Sequence, residues 1–145
     1  MKRAIVSLFV VTVLTAAPCI GAEGGKMENA NVLQEIPYQD EGFGKRKLVD
    51  TNELLLMQAA LKPGQKVPPH MANSNVHLLV LAGEIIVDIA GEKVSAGKGD
   101  LVPVAFGTPM YVENQGKGDA TFLIIKTPHP KLMKRKKATA EGGRI

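Results

Sequence analysis

Residues 62–83 read KPGQKVPPHMANSNVHLLVLAG, and residues 97–114 read GKGDLVPVAFGTPMYVEN. In the first stretch Lys62-Pro63-Gly64 is a turn, because proline presets one backbone dihedral and glycine accepts a positive φ. VHLLVLAG (76–83) is then an apolar run of strand length that ends on glycine. The second stretch opens on the turn Gly97-Lys98-Gly99-Asp100 and continues as DLVPVA (100–105) and PMYVEN (109–114). Runs this short, rich in β-branched residues and bounded by Gly, Pro and Asn, read as strands.

The same pattern extends in both directions. RKLVD (46–50) and ELLLMQAAL (53–61) precede the quoted stretches, EIIVDIAG (84–91) lies between them, and TFLIIKT (121–127) follows. Gly91-Glu92 and Gly116-Lys117-Gly118-Asp119 supply further turns. No segment carries a helical period, and no gap is long enough for crossover helices, which excludes a βαβ sheet. The expectation is an all-β domain, a single barrel or sandwich of short strands. Of the 145 residues, roughly 100 belong to this middle region, enough for one core. There is no Trp, so that core must be mainly aliphatic.

The ends differ from the middle. Lys2 and Arg3 precede an apolar stretch, AIVSLFVVTVLTAA (4–17), followed by small residues. This is the layout of a signal peptide, with cleavage expected after Ala22. The run is short of the ~20 residues that span a membrane. Cys19, the only cysteine, falls inside this segment, so the mature chain is expected to hold no disulfide. Lipidation at Cys19 is the lesser alternative, since Pro18 is a poor residue before a lipidated cysteine. The chain is therefore expected to be exported, periplasmic or secreted. Residues 23–45 read as a polar leader with a short strand around 32–36, and 131–145 as a basic flexible tail.

Charge follows the same division. The formal net charge is +4, but residues 23–130 hold ten bases against thirteen acids, a balance of −3. Residues 131–145 carry +5. The middle thus lacks the basic surface that nucleic acid requires, and no nucleic-acid partner is expected. The tail suggests at most a salt-sensitive contact with an anionic envelope.

With the strands and turns in place, the spacing of particular residues resembles the cupin family, small antiparallel barrels of jelly-roll type. The family's first motif runs Gly, five residues, His-x-His, three or four residues, Glu, six residues, Gly. Here Gly64 and His70 match, Ala72 stands for the second His, Val76 for the Glu, and Gly83 closes the motif. The second motif runs Gly, five residues, Pro-x-Gly, two residues, His, three residues, Asn. Gly99, Gly107 and Asn114 match, while Ala105 replaces the Pro and Met110 the His. The resemblance covers residues 46–130 and implies a single jelly-roll barrel and, since cupins are often dimers, a homodimer.

It also implies where chemistry would sit. In metal-dependent cupins the two His, the Glu and the second-motif His hold one ion, but three of those positions here are Ala72, Val76 and Met110. The expectation is a barrel that binds a small molecule or a protein partner without a resident cofactor, its pocket lined by His70, Ala72, Val76 and Met110. Two alternatives stand beside it. One is an enzyme with a rearranged transition-metal site of His70 with His77 or Met110, taking iron, nickel or copper, since imidazole and thioether suit Cu(I). The other is an envelope-associated module held by the basic tail. In the register that spaces the motif best, Val76 faces inward and His77 outward, because side chains alternate along a strand. His129, between two prolines at the barrel's end, is expected to be an exposed loop residue.

Overall fold

The computed structural model describes residues 29–134. Among these residues are nine strands: β1 (Gly44–Asp50), β2 (Leu55–Leu61), β3 (Lys66–Met71), β4 (Val76–Ala82), β5 (Glu84–Ile89), β6 (Glu92–Gly97), β7 (Leu101–Val104), β8 (Pro109–Glu113) and β9 (Ala120–Lys126). They form a five-stranded sheet in the order β1-β2-β9-β4-β7 and a four-stranded sheet in the order β3-β8-β5-β6. Every pairing is antiparallel, giving the two facing sheets of a jelly roll. Segments 1–22 and 135–145, the expected export signal and most of the basic tail, lie outside the described residues.

Of the eight strands expected from sequence, the seven between residues 46 and 127 are present. The two that were not expected, β3 and β6, are the edges of the four-stranded sheet. Edge strands pair on one side only, so they tolerate residues that a central strand rejects. β3 carries Pro68 and Pro69, and β6 is mostly small or charged. Neither composition advertises a strand.

The core lies between the sheets and follows from alternation along each strand. Val76, Leu78 and Val80 of β4, Ile85 and Val87 of β5, and Phe122 of β9 are all buried. The expected strand around 32–36 is not formed. Asn31 instead nucleates a turn: its side-chain oxygen accepts from Leu33 N–H, and its carbonyl accepts from Gln34 and Glu35 N–H. This turn packs on the outside of the five-stranded sheet, where Gln58 Nε2 donates to the Val32 carbonyl at 2.7 Å and to Thr121 Oγ1 at 3.0 Å. Gln58 and Thr121 are thereby buried with their polar groups satisfied.

The motif residues meet in space as they do in spacing. Gly64 N–H donates to the Asn114 carbonyl at 2.8 Å, and Gly107 N–H donates to the Ala72 carbonyl at 2.8 Å. The two motifs are thus tied at both ends of the β3–β8 pair. Gly64, Gly83, Gly99 and Gly107 all have positive φ, the conformation that glycine adopts without a Cβ penalty.

His129 corrects the sequence reading. It is 5% exposed, and its Nε2–H donates to Asp50 Oδ1 at 3.1 Å while its Nδ1 accepts from Lys131 N–H at 3.1 Å. Ser74 Oγ donates to the Pro128 carbonyl. Flanking prolines suggested a solvated loop, but the segment after β9 folds back onto Asp50 at the end of β1 and onto Ser74.

Candidate functional site

β3 sets the direction of the site. Val67 pairs with Val112 and His70 with Met110, so Pro68 and Pro69 of β3 oppose Tyr111 alone of β8. The extra residue is a bulge within Val67–His70, a stretch that contains both prolines. Side chains alternate with a period of two, and one extra residue reverses the facing. Without the bulge, Met71 would share the inner face with Val67, and His70 would point outward. With it, His70 joins Met110 and Val112 on the inner face, and Met71 is 57% exposed.

These inner-face residues line a cavity of about 320 Å³ at one end of the barrel. Its floor is apolar: Phe43, Met57, Leu78, Val112, Phe122 and Ile124. Val67, Pro68, Pro69, Val76 and Met110 complete the wall. Three ionisable side chains reach it, Lys45, His70 and Lys126, and no carboxylate does. The volume falls at the small end of the ~300–1,000 Å³ usual for ligand pockets, and the lining has their usual make-up.

His70 sits at the exposed mouth. Its Nδ1 lies 2.8 Å from the Pro68 carbonyl. A carbonyl only accepts, so Nδ1 carries the proton and Nε2 of the neutral ring keeps a free lone pair. Lys126 is the last residue of β9 and continues the inward row of Phe122 and Ile124. Its ammonium donates to Asn73 Oδ1 at 3.0 Å, and burial lowers its pKa from the ordinary lysine value. Lys45 lies over the Phe43 ring, 5.4 Å from its centroid, a cation–π distance.

Of the residues singled out from sequence, the structure brings His70, Val76 and Met110 to one cavity. Ala72 is buried but does not line it: its backbone is engaged with Gly107 and Thr108. His77 lies on the other face of β4, paired with Pro103 and Ile125, and does not reach the cavity. Val76 faces inward and His77 outward, as the better motif register requires. Among the described residues no three His, Cys, Asp or Glu side chains converge on one point. Sequence reasoning missed Lys126 and Lys45. Alternation in TFLIIKT places Lys126 on the inner face once Phe122 is known to be core, and that signal was available.

The comparisons with known proteins agree with this architecture. The family model described as "Cupin domain" matches residues 57–126. An uncharacterized protein of Methanocaldococcus jannaschii is 33% identical over 88 residues, which span 60% of this chain and 76% of that one. The crystal structure of an RmlC-like cupin family protein from that organism, with a double-stranded β-helix fold, superposes with a TM-score of 0.65 at 26% identity. That superposition covers 76% of this chain and 99% of the other. A Thermus thermophilus protein gives a TM-score of 0.65 at 24% identity, over 70% of this chain and 98% of its own. An RmlC-like cupin of Desulfovibrio desulfuricans gives 0.64 at 23%, over 70% and 97%. With the two motifs tied together in one jelly roll and a curated relative at this identity and coverage, the chain belongs to the cupin family.

Proposed function

We propose that this chain is a binding cupin whose cavity takes a small molecule with an apolar body. The cavity itself carries the reading: about 320 Å³, open at one end and floored by aromatic and aliphatic side chains. An apolar ligand of matching size would gain ~25 cal/mol for each Å² removed from water. His70 Nε2, with its tautomer set by the Pro68 carbonyl, offers the ligand an acceptor at the mouth. The test is titration of the purified protein with an environment-sensitive apolar dye. Saturable one-to-one binding, lost when Val112→Phe fills the cavity, is expected. Dye binding that ignores Val112→Phe would sink the reading.

A metal-dependent enzyme is the second reading, supported by the His70–Met110 cross-strand pair, which presents an imidazole and a thioether to one space. His77 takes no part in it, since it lies across the sheet. The Lys126 ammonium lining the same cavity opposes a second cation there. Titration with Cu(I), followed by the loss of a competing chelator's signal, separates the two readings.

We propose export on the strength of Lys2, Arg3 and the apolar run 4–17, which cell fractionation with an antibody to the mature domain would test. For assembly, the proposed partner is a second copy of the chain. The outer face of the five-stranded sheet presents Leu79, Leu81, Leu123 and Ile125, all half-buried, and Leu101, 55% exposed. Apolar side chains gathered on one outer face suit a protein partner. The middle of this face offers no charge for an ionic partner to read, so an equally flat apolar face suits it best.

A further inference from the structure

We propose that the cavity's ligand is an organic monoanion, a carboxylate on an apolar body, with its charge held by Lys126; this rests on the cavity being a ligand site. Lys126 is committed to the inner face by alternation, since Phe122 and Ile124 line the same cavity and Val76, also inward, is its cross-strand partner. Its ammonium has one neutral partner, Asn73 Oδ1. Among the described residues no carboxylate lies within ion-pair distance of it.

A half-buried ammonium beside an apolar chamber loses hydration and receives no counter-charge in return. An anion entering the mouth supplies that charge, and a charge-assisted hydrogen bond in such a place is stronger than one in open water. The other ionisable groups on the wall, Lys45 and His70, give an entering anion no repulsion from a like charge. His70 does not compete for the carboxylate in its neutral form, because its cavity-side nitrogen is an acceptor. Ammonium at the rim and hydrocarbon below fit an amphipathic acid: the head stays at Lys126, and the body fills the space between Phe122, Leu78 and Val112. A bare inorganic anion would leave that floor unfilled.

Calorimetric titration of the full chain with phenylacetate and octanoate, and with 2-phenylethanol and 1-octanol as neutral counterparts, tests this. Each acid is expected to bind about tenfold or more tightly than its alcohol, the worth of one charged hydrogen bond. Lys126→Met should abolish that preference, bringing acid and alcohol to equal affinity, and Lys126→Arg should retain it. Circular dichroism of both variants establishes that they are folded. Equal binding of acid and alcohol by the native chain, or a preference that survives in Lys126→Met, would overturn the charge assignment and leave the apolar cavity standing. Inorganic phosphate binding as tightly as the acids would overturn the amphipathic class. Failure of acids and alcohols alike would remove the cavity reading, and this proposal with it.

Discussion

Val76 and Lys126 face each other across the β4–β9 ladder on the inner side of the five-stranded sheet. Val76 stands where the family resemblance calls for a carboxylate, and its partner is a cation rather than a metal ligand. One strand carries a valine at that position, and the neighbouring strand presents an ammonium that burial discourages from staying charged. The pair underlies the proposal that this mouth takes an anion, where the family's usual arrangement would draw a cation.

A side chain held this way should lower stability in the unliganded protein. Lys126→Met keeps the stem's apolar contacts, removes the buried charge and forgoes the bond to Asn73. Because the charge is only half-buried and solvent screens it, we expect a gain of a few tenths of a kcal/mol, at most about 1, in urea unfolding. The pH dependence has a definite sign. The folded pKa lies below the unfolded value, so between the two the unfolded chain binds more protons and native stability rises with pH. The advantage of Lys126→Met should therefore shrink as pH climbs through that alkaline window. An advantage independent of pH would place its origin elsewhere.

Gly83 is constrained twice. Its φ is +74°, and an added Cβ would lie 2.4 Å from the Asp119 carbonyl oxygen and 2.7 Å from Ala120 Cα. Gly91 has a φ of +91° with open space around it. Gly91→Ala should cost about 1 kcal/mol, the strain alone. Gly83→Ala should cost on the order of 2–4 kcal/mol, because backbone must also move. Chemical denaturation of both variants measures the difference, and equal losses would mean that the close approach is relieved without effort.

Asn114 ties three segments together from a position 1% exposed. Its Nδ2 donates to the Leu61 carbonyl at 3.0 Å and the Gly118 carbonyl at 2.8 Å, and its Oδ1 accepts from Gly116 N–H at 2.9 Å. Asn114→Ala removes the buried donor to the Leu61 carbonyl and two bonds to the exposed turn at Gly116 and Gly118, and should cost about 1–3 kcal/mol. Asn114→Asp sets a carboxylate against two carbonyls, which raises its folded pKa. Its stability should fall as pH rises through that value and recover on acidification. An Asn114→Asp variant insensitive to pH would argue that water enters and satisfies the pair.

The proposed self-association can be read in solution. Leu79 and Leu123 are cross-strand partners on the outer face, so Leu79→Lys with Leu123→Lys places two charges at its centre. Sedimentation should show a dimer for the native chain at micromolar concentration and a monomer for the variant, with matching circular dichroism. A native chain that sediments as a monomer removes the second copy as the partner.

How much of this was legible beforehand depends on what each residue had to signal. The glycines of both motifs were readable because a left-handed turn admits few other residues, and their spacing then carried the family. Alternation in VHLLVLAG was enough to turn Val76 inward and His77 outward. β3 and β6 were not readable, because an edge strand is under weaker compositional constraint than a central one. His129 was misplaced because its burial comes from Asp50, 79 positions away in sequence.

By itself, then, the order of residues determined an all-β domain and its seven well-marked strands, while the jelly roll, and the ligand positions that Ala72, Val76 and Met110 occupy, were what the resemblance to the cupin family implied. The strands follow from local rules, strand period and turn chemistry. Tertiary structure alone decided that His70 shares a wall with Met110, since one bulged residue in β3 sets that facing. It likewise decided that Ala72 stands apart from the cavity, and that His129 is buried against Asp50. Those outcomes depend on pairings between strands distant in the chain, and pattern within a single segment carries no record of its partner.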